Sequence, residues 1–360
     1  MKLPELAGVL DAAQVAITVD SIAAVQLPSG MIPWFPGGHA DPWNHVEAAM
    51  ALTIGGRRAE AERAYDWLTR TQRSDGAWHA YYLEHGIEDQ KFDANVCAYV
   101  ATGVWHHFVA TRDAGFLEAM WPVVEAAMDF VLDLQTPRGE ILWARHPNGQ
   151  PWPFALLTGS SSIYQSLRCA IATAEHLDHE RPDWELSAGQ LAHVIAHRPD
   201  AFAPKHRWAM DWYYPVLAGV LTGDIGRERL AQYRETFLME GRGVRCVSDR
   251  PWVTAAETSE CALAHLAVGE DDVARTLLEW AQHLRADDGS YWTGIVLPDE
   301  KHFPGGEQTT YSSAAVVLVV DVLCGESKTS GLFRGEGLPA PFAVTSTVSS
   351  EGVGDPPKHS

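Results

Sequence analysis

The chain has 360 residues, of which 46% are apolar and 21% are charged, a composition typical of a globular protein rather than a disordered one. Its 27 basic and 47 acidic side chains give a formal net charge of −20, opposite in sign to the basic surface that binds nucleic acid or anionic lipid. We therefore expect neither nucleic acid nor a membrane as a partner.

The segments that would direct the chain out of the cytoplasm or into a membrane are not found. Glu5 and Asp11 interrupt the start of the chain, where a signal peptide needs an apolar core. The longest apolar run, residues 314–323, is broken by Asp321. The five cysteines are scattered and form no C-x-x-C pair. We expect reduced thiols, no structural zinc site and a cytoplasmic location.

Two kinds of helix alternate along the chain. The first kind is amphipathic, as in residues 57–72, where Ala61, Ala64, Tyr65 and Leu68 share one face. Similar segments are 9–25, 116–134, 227–237 and 270–284. The second kind is apolar or built of small residues on nearly every face, which is typical of helices buried on all sides. These segments are 41–54, 93–110, 159–177, 208–221, 253–267 and 309–323.

Counted from residues 9–25, the two kinds of helix alternate through six pairs, which predicts an all-α fold, an (α/α)6 toroid with one ring of helices inside another. Parallel inner helices would place their N-termini at one end, where we expect the pocket. An open solenoid of helical hairpins is the alternative, but neither terminal pair is polar enough to cap one. We expect one domain over residues 1–325 and a disordered tail over 326–360, which lacks periodicity.

Short β-hairpins are predicted in three loops that lead into inner helices. Residues 74–84, 138–149 and 287–298 each place a Gly turn before alternating aromatic side chains. We expect these hairpins to form the rim of the pocket.

Carboxylates recur at the starts of the inner helices. They are Asp41, Asp93, Asp211, Glu257, Glu260 and Glu307. Asp41 followed by Pro42 is also an ordinary helix N-cap, whereas Glu257 and Glu260 share one face of an otherwise apolar helix. A buried carboxyl is costly unless it is paired or used, and two carboxyls across a groove are what glycoside hydrolysis requires.

Aromatic residues are abundant, with 14 Trp and 10 Tyr. Aromatic walls suit sugar rings and isoprenoids alike, although Trp also fills large cores. We expect substrate contacts at the pocket end from both aromatic and polar side chains. The aromatic candidates are Trp34, Trp43, Trp78, Trp212 and Tyr214. The polar candidates are His39, Asp93, Arg168 and Asp211.

Four segments resemble, in chain order, helices of the glucoamylase-type inverting α-glycosidases. They read HADPWNHVEAAMAL, FDANVCAYVATGVW, TGSSSIYQSLRCA and WVTAAETSECALAHL. The likeness covers about residues 28–325. As a whole, the chain is similar to an actinobacterial group often labelled prenyltransferase-like, which includes endo-α-1,4-mannosidases of methylmannose polysaccharide.

The resemblance implies metal-independent hydrolysis of an internal α-mannosidic bond with inversion, a polysaccharide substrate and no cofactor. Inversion implies carboxyl groups roughly 6.5–9.5 Å apart. The chain departs from the glucoamylase-type pattern at two places. Leu156 and Leu157 stand where the acid belongs, and residues 291–293 (Tyr-Trp-Thr) stand where the base belongs. Either the catalytic pair lies elsewhere, or the protein is not a hydrolase.

We expect Asp41 and Glu257 to be this pair, because the first and fifth inner helices of a six-membered ring are separated by one other. Burial raises the pKa of Glu257 and favours the acid role, whereas the helix N-terminus keeps Asp41 ionised as the base. Glu260 is the alternative acid and Asp93 the alternative base.

Two other functions fit parts of the sequence. Gln72, Gly76 and Trp78 match the Q-x-x-x-G-x-W repeat of squalene-cyclase-like toroids, but the acidic motifs D-x-D-D and D-D-x-x-D do not occur. A non-catalytic glycan-binding toroid is the other possibility. A metal site is disfavoured, because no second cluster supports its candidate ligands, His39, Asp41 and His45. The oligomeric state is left open.

Overall fold

The computed structural model describes residues 2–342, which form twelve α-helices and nine short strands. In chain order, the helices are α1 (Ala12–Val25), α2 (Pro42–Ile54), α3 (Arg58–Thr71), α4 (Ala94–Thr111), α5 (Ala114–Leu132), α6 (Leu157–His176), α7 (Pro182–His197), α8 (Met210–Leu217), α9 (Gly223–Phe237), α10 (Ala255–Ala267), α11 (Asp271–Ala281) and α12 (Thr310–Cys324). The strands are β1 (Tyr81–Leu83), β2 (Gly86–Asp89), β3 (Phe92–Asp93), β4 (Ala144–Arg145), β5 (Leu238–Met239), β6 (Gly243–Val244), β7 (Trp252–Thr254), β8 (Trp292–Val296) and β9 (Lys301–Gln308).

The even-numbered helices form an inner ring and the odd-numbered helices an outer one. Each inner helix packs against the next, and α12 packs against α2, so the ring is closed. Outer helices cover the seams: α1 contacts α12 and α2, and α5 contacts α4 and α6. The predicted (α/α)6 toroid is therefore confirmed, and the open solenoid, whose ends would not meet, is excluded.

The inner helices are buried because their surfaces are made of small and apolar side chains. At Gly103 of α4, a Cβ atom would lie 2.4 Å from Cγ1 of Val46, so only glycine allows α2 and α4 to approach this closely. The Tyr65 hydroxyl of α3 donates a hydrogen bond to the Gly103 carbonyl at 2.8 Å and ties the outer ring to the inner one.

One inner helix is shorter than predicted. The fourth was expected over 208–221, but α8 ends at Leu217. Pro215 has no amide hydrogen for the helix ladder, and Gly219 turns the chain with φ +73°. The helix also begins later than predicted, at Met210, so Trp208 precedes it and belongs to a loop at the pocket end.

A repeated Gln-x-x-x-Gly motif links neighbouring outer helices. Three glutamines at or just beyond the C-termini of α1, α3 and α5 each use Nε2 to donate two hydrogen bonds of 2.9–3.1 Å. One acceptor is the carbonyl of the glycine four residues later, and the other lies on the next outer helix. The acceptors are Gly30 and Glu60 for Gln26, Gly76 and Val123 for Gln72, and Gly139 and Ser187 for Gln135. The cyclase-like match is therefore structural in this chain.

The strands lie in the loops and pair locally. Strands β1 and β2 form a hairpin, β3 pairs with β4, and β7, β8 and β9 form an antiparallel three-stranded sheet. The backbone of Ala40 also pairs with Tyr82 of β1, which holds the first hairpin beside the start of α2.

The chain after α12 packs against the toroid as far as it is described. Leu332 and Phe333 are buried, Arg334 forms an ion pair with Asp271 at 2.8 Å, and the Pro339 carbonyl accepts a hydrogen bond from Arg168. Residues of the 326–342 part of the predicted tail thus contact the folded domain, and the boundary at residue 326 stays a prediction. The rest of the predicted tail, 343–360, lies outside the described residues.

The described residues contain neither a disulfide nor a membrane-spanning helix. The five cysteines lie within the described residues, and none of them forms a disulfide. Four are buried, and burial raises the pKa of the thiols of Cys97, Cys169, Cys246 and Cys261. Between residues 2 and 342, no helix is both long enough and apolar enough to cross a membrane.

Candidate active site

A cavity of about 470 Å³ lies at the N-terminal ends of the inner helices. Every inner helix contributes to it from its cap or its first turns. In helix order, representative lining residues are Asp41, Asp93, Thr158, Asp211, Glu257 and Tyr311. The cavity is therefore at the predicted end, where the parallel inner helices bring carboxylates from four of the six helix starts together.

Asp41 is held as the N-cap of α2. Its carboxylate accepts hydrogen bonds from the Asn44 amide at 3.0 Å, the Asn44 side chain at 2.7 Å and the Trp34 indole at 2.7 Å. Burial raises the pKa of Asp41, and these hydrogen bonds oppose that effect because they stabilise the charged form. The arrangement suits a carboxylate that must be ionised inside a cavity.

Glu257 lies in the first turn of α10, at the cavity wall. Its carboxyl accepts a hydrogen bond from the Thr254 hydroxyl. Burial raises the pKa of Glu257, with that hydrogen bond opposing the shift. The arrangement suits a carboxyl group that keeps its proton longer than an exposed glutamate.

The helices that carry Asp41 and Glu257 flank α12. Tyr311, in the first turn of α12, also lines the cavity. Burial, then the charge of Glu257, raises the pKa of its hydroxyl, and the charge of Asp41 acts in the same direction. Two carboxyl groups in one cavity can act as general base and general acid when one is ionised and the other keeps its proton.

Two further carboxyls, Glu47 of α2 and Glu260 of α10, line the cavity below this pair. Burial, then the charge of Asp41, raises the pKa of Glu47 to about 8. Burial, then the charge of Glu47, raises the pKa of Glu260 well above its ordinary value. Ionising both carboxyls at the same time is therefore unfavourable.

The opposite side of the cavity carries Asp93 and Asp211. Asp93 caps α4 and accepts hydrogen bonds from the amides of Asn95 and Val96, and burial raises its pKa to about 6. Asp211 accepts a hydrogen bond from Thr158 at 2.7 Å, and burial raises its pKa too. These groups offer acceptors for sugar hydroxyls on α4 and α8.

Aromatic side chains form much of the cavity wall. They are Trp34, Trp43, Tyr81, Trp143, Trp208 and Tyr311. The Trp34 ring lies edge-on to Tyr81 and Tyr311, with ring centroids 5.9 and 5.0 Å apart. Lys91 places its ammonium 5.3 Å from the Tyr81 ring and lines the cavity with it. Such walls bind the faces of sugar rings.

Three of the predicted contact residues lie elsewhere. Trp78 is fully buried and its indole donates to the Leu68 carbonyl, because the ring caps the end of α3. Trp212 follows Asp211 by one position, so the helix turns its ring away from the cavity, to stack on Phe237. Arg168 lies eleven residues into α6, roughly 16 Å along the helix from the cavity end, where it binds the Pro339 carbonyl.

Three others do not line the cavity. His39 packs against the rings of Trp34 and Tyr81, both at 4.4 Å, and its Nδ1 lies 2.8 Å from Glu88. Tyr214 lies behind Glu260 and donates a hydrogen bond to it. The candidate carboxylate Glu307 lies on β9, where it accepts a hydrogen bond from the Gly305 amide.

The structure also adds lining residues that were not predicted, chiefly Glu47, Tyr81, Trp143 and Tyr311. Glu47 carries the same signal that singled out Glu257, a carboxyl on an otherwise apolar helix, and could have been found by that rule. Trp143 and Tyr81 lie in or beside two of the predicted hairpins.

No protein-family model matches the chain. Similar solved structures include a glycosidase in complex with glucose, at 14% identity and TM-score 0.67, covering 87% of this chain and 96% of that one. A D-mannose isomerase matches at 12% and 0.66, covering 86% and 96%. A mannosylglycerate hydrolase from Thermus thermophilus matches at 14% and 0.66, covering 84% and 99%. At these identities the likeness concerns the fold alone, which serves both hydrolases and an isomerase.

Sequence similarity is far higher to one curated enzyme, the MMP endo-(1,4)-3-O-methyl-alpha-D-mannosidase of Mycolicibacterium hassiacum. The two chains are 50% identical over 337 residues, which cover 94% of this chain and 93% of the relative. This extent confirms the resemblance that the sequence suggested. The chain belongs to the family of this endo-mannosidase.

Proposed function

We propose that this protein is an endo-acting glycosidase that hydrolyses internal α-(1,4) bonds in a polysaccharide of 3-O-methylmannose. The observation that carries the proposal is one cavity with a hydrogen-bonded carboxylate on α2 and a desolvated carboxyl on α10. The substrate class comes from the 50% identity to the MMP endo-(1,4)-3-O-methyl-alpha-D-mannosidase. The aromatic walls fit sugars that methylation has made partly apolar.

In the proposed mechanism, Asp41 is the general base and Glu257 the general acid. Asp41 takes a proton from a water molecule as the water oxygen attacks the anomeric carbon. Glu257 gives its proton to the departing sugar oxygen as the glycosidic bond breaks. This single displacement inverts the anomeric configuration, and it leaves Asp41 protonated and Glu257 ionised until both exchange protons with solvent.

The local environments support this division of roles. Hydrogen bonds from Trp34 and Asn44 stabilise the ionised form of Asp41, as a base requires. Burial raises the pKa of Glu257, as an acid requires near neutral pH. Glu260 is the alternative acid and Asp93 the alternative base, because both line the same cavity.

The proposed function is tested with defined α-(1,4)-linked oligosaccharides of 3-O-methylmannose, using mass spectrometry for product sizes and proton NMR for the first anomer formed. We expect internal cleavage, a first product of β configuration and activity that EDTA does not reduce. Release of single sugars from one end would contradict endo action, and an α-configured first product would contradict inversion. Loss of activity in EDTA would contradict the metal-independent mechanism.

We also propose that the protein acts in the cytoplasm, on a polysaccharide held there. The unpaired state of its five cysteines within the described residues supports a reducing compartment. Cell fractionation should recover the protein with cytosolic markers, and recovery with secreted or envelope proteins would contradict this.

A further inference from the structure

Glu47 and Glu260 lie deeper in the cavity than the proposed catalytic pair. Glu47 is six residues beyond Asp41 along α2, and Glu260 is three residues beyond Glu257 along α10. At the rise of an α-helix, these steps correspond to roughly 9 Å and roughly 4.5 Å. The residues are only 5% and 7% exposed, yet both line the cavity, so they form its floor.

The hydrogen bonds of Glu47 leave one oxygen free for a ligand. Its Oε1 accepts from the Trp43 indole at 3.2 Å and from the Tyr99 hydroxyl at 3.3 Å. Within residues 2–342, no hydrogen bond reaches Oε2 from another residue, although the side chain lines the cavity. Oε2 is not among the buried unpaired atoms, so it is accessible from the cavity, where water or a ligand can donate a hydrogen bond to it.

Glu260 is bound by two tyrosines of α8. Tyr213 donates to Oε2, and Tyr214 donates to Oε1 at 3.3 Å. The Trp43 ring joins the two halves of the floor, since its centroid lies 5.9 Å from that of Tyr214 and 5.6 Å from that of Tyr99. The two carboxyls therefore belong to one connected cluster.

The charges around the floor are all of one sign. Between residues 2 and 342, no Lys, Arg or His forms an ion pair with Glu47 or Glu260, and the neighbouring titratable groups are Asp41, Glu257 and the tyrosines named above. Burial and like charges therefore keep at least one proton on the two carboxyls near neutral pH. The floor can offer a hydrogen-bond donor as well as acceptors.

We propose that Glu47 and Glu260 bind unsubstituted hydroxyl groups of the sugar residue at the bottom of the cavity. The proposal rests on the proposed function and extends it to substrate discrimination. A sugar hydroxyl donates and accepts, which matches a carboxylate beside a protonated carboxyl. A methyl ether cannot donate, and its methyl group needs apolar surroundings. Methyl ethers therefore face the aromatic wall nearer the mouth.

The test combines variants of the floor with substrates that lack one hydroxyl. The ligands are an α-(1,4)-linked 3-O-methylmannose tetrasaccharide and analogues in which one free hydroxyl at a time is replaced by hydrogen. Binding is measured by calorimetry in an Asp41→Asn background, with and without Glu47→Gln or Glu260→Gln. Glu118→Gln, at an exposed position on α5, is the matched control.

With both carboxyls in place, we expect at least one deoxy analogue to bind about tenfold more weakly than the parent. In the Glu47→Gln or Glu260→Gln background, that penalty should fall below about threefold. Penalties that are unchanged by either substitution would overturn the inference. If a glutamine variant does not fold, Tyr214→Phe, which keeps both carboxyls, should reduce the same penalty in part.

Turnover separates this inference from the alternative that Glu260 is the acid, and from failure of the proposed function. In the otherwise wild-type enzyme, Glu260→Gln should raise KM and leave kcat within about fivefold. A loss of kcat above about a hundredfold with KM unchanged would overturn the floor assignment. If the wild-type protein binds the parent with the hydroxyl penalty but hydrolyses no mannoside, the proposed function fails and the floor assignment stands.

Discussion

Asp41 has two tasks at the level of single residues, since it caps α2 and serves as the proposed base. Asparagine also caps helices, so Asp41→Asn should keep the fold while removing the negative charge. Glu257→Gln likewise keeps the shape of the side chain and removes the acid. Each variant should lose kcat by about a hundredfold or more, with an unchanged thermal unfolding midpoint.

A matched control exists for the capping role. Asp11 caps α1 and accepts a hydrogen bond from the Gln14 amide at 2.8 Å, and it does not line the cavity. Asp11→Asn should therefore leave kcat unchanged. If Asp41→Asn and Glu257→Gln keep more than about a tenth of wild-type kcat, a barrier change below about 1.4 kcal/mol, the proposed pair is wrong.

Glu47 should make the stability of the free protein depend on pH. In the unfolded chain its carboxyl ionises around the ordinary pKa of 4.5, whereas burial and the charge of Asp41 raise the pKa in the folded protein to about 8. The folded state then binds more protons over this window, so the stability contributed by Glu47 is lost as pH rises from about 4.5 to 8. Glu47→Gln cannot ionise and escapes this loss.

We therefore expect the unfolding temperature of Glu47→Gln, relative to wild type, to be higher at pH 8.5 than at pH 4.5. Thermal melts at the two pH values measure it, with the exposed Glu118→Gln as control. An equal difference at both pH values would show that Glu47 ionises normally in the folded protein. A stabilised but less selective variant would be consistent with a binding site that sacrifices stability for function.

Some side chains of the cavity could be predicted from the sequence, and others could not. The positions of Asp41 and Glu257 at the cavity could be predicted because a carboxylate at the start of an apolar helix is a strong signal, whereas their catalytic roles stay predictions. Trp78 and Trp212 were misplaced because composition does not tell a Trp in the core from one at a binding surface. The direction in which each Trp ring points changes with a shift of a single position in a helix or turn, and that register is defined only in the folded chain.

At the level of elements, the Gln-x-x-x-Gly links define how each outer helix follows the last. Gly76 has φ +83°, and a Cβ atom there would lie 2.0 Å from the Ala126 carbonyl oxygen of α5. Gly76→Ala should therefore lower the free energy of unfolding by about 2 kcal/mol or more. Activity per folded molecule should not change, because neither residue lines the cavity.

The control for this prediction is Gly86→Ala, at the tip of the β1–β2 hairpin. A Cβ atom at Gly86 meets nothing within 4 Å, and its φ is not positive. Chemical denaturation should give a free energy of unfolding within about 0.5 kcal/mol of wild type for this control. Equal effects of the two substitutions would show that the links contribute little.

The helices were predictable where their patterns were strong. Inner helices α2, α4, α10 and α12 match the predicted segments, because a long segment that is apolar on every face is stable in few arrangements other than a buried helix. The short α8 was overestimated because the sequence shows Pro215 but not how sharply the chain turns after it. The Gln72 match was visible, but its structural role was not, because the second acceptor is on a helix fifty residues away.

For the whole molecule, ring closure positions the chemistry. The contact between α12 and α2 brings the two ends of the helical array together. Asp41 and Tyr311, which are 270 positions apart in the sequence, therefore share one cavity wall. Periodicity predicted this closure and the end at which the cavity lies. Periodicity could not predict which aromatic residues of the loops reach the mouth of the cavity, because the loop sequences have no repeating hydrophobic pattern.

Trp208 provides the last prediction, which concerns the mouth of the toroid. This side chain lines the cavity and yet is 44% exposed, an unusual exposure for the largest apolar side chain. An exposed ring at the edge of a sugar-binding cavity can stack on a residue of a long substrate beyond the cleavage site. Trp208→Ala should lower kcat/KM on long oligosaccharides by about fivefold or more.

The same substitution should change kcat/KM on the shortest cleaved oligosaccharide by less than about twofold, because that substrate does not extend to the mouth. Leu186→Ala is the control, since Leu186 is 64% exposed on outer helix α7 and does not line the cavity. Rates measured across a series of chain lengths would decide the question. An equal loss on short and long substrates would place Trp208 at the cleavage site itself, and no loss on either would make its exposure irrelevant to binding.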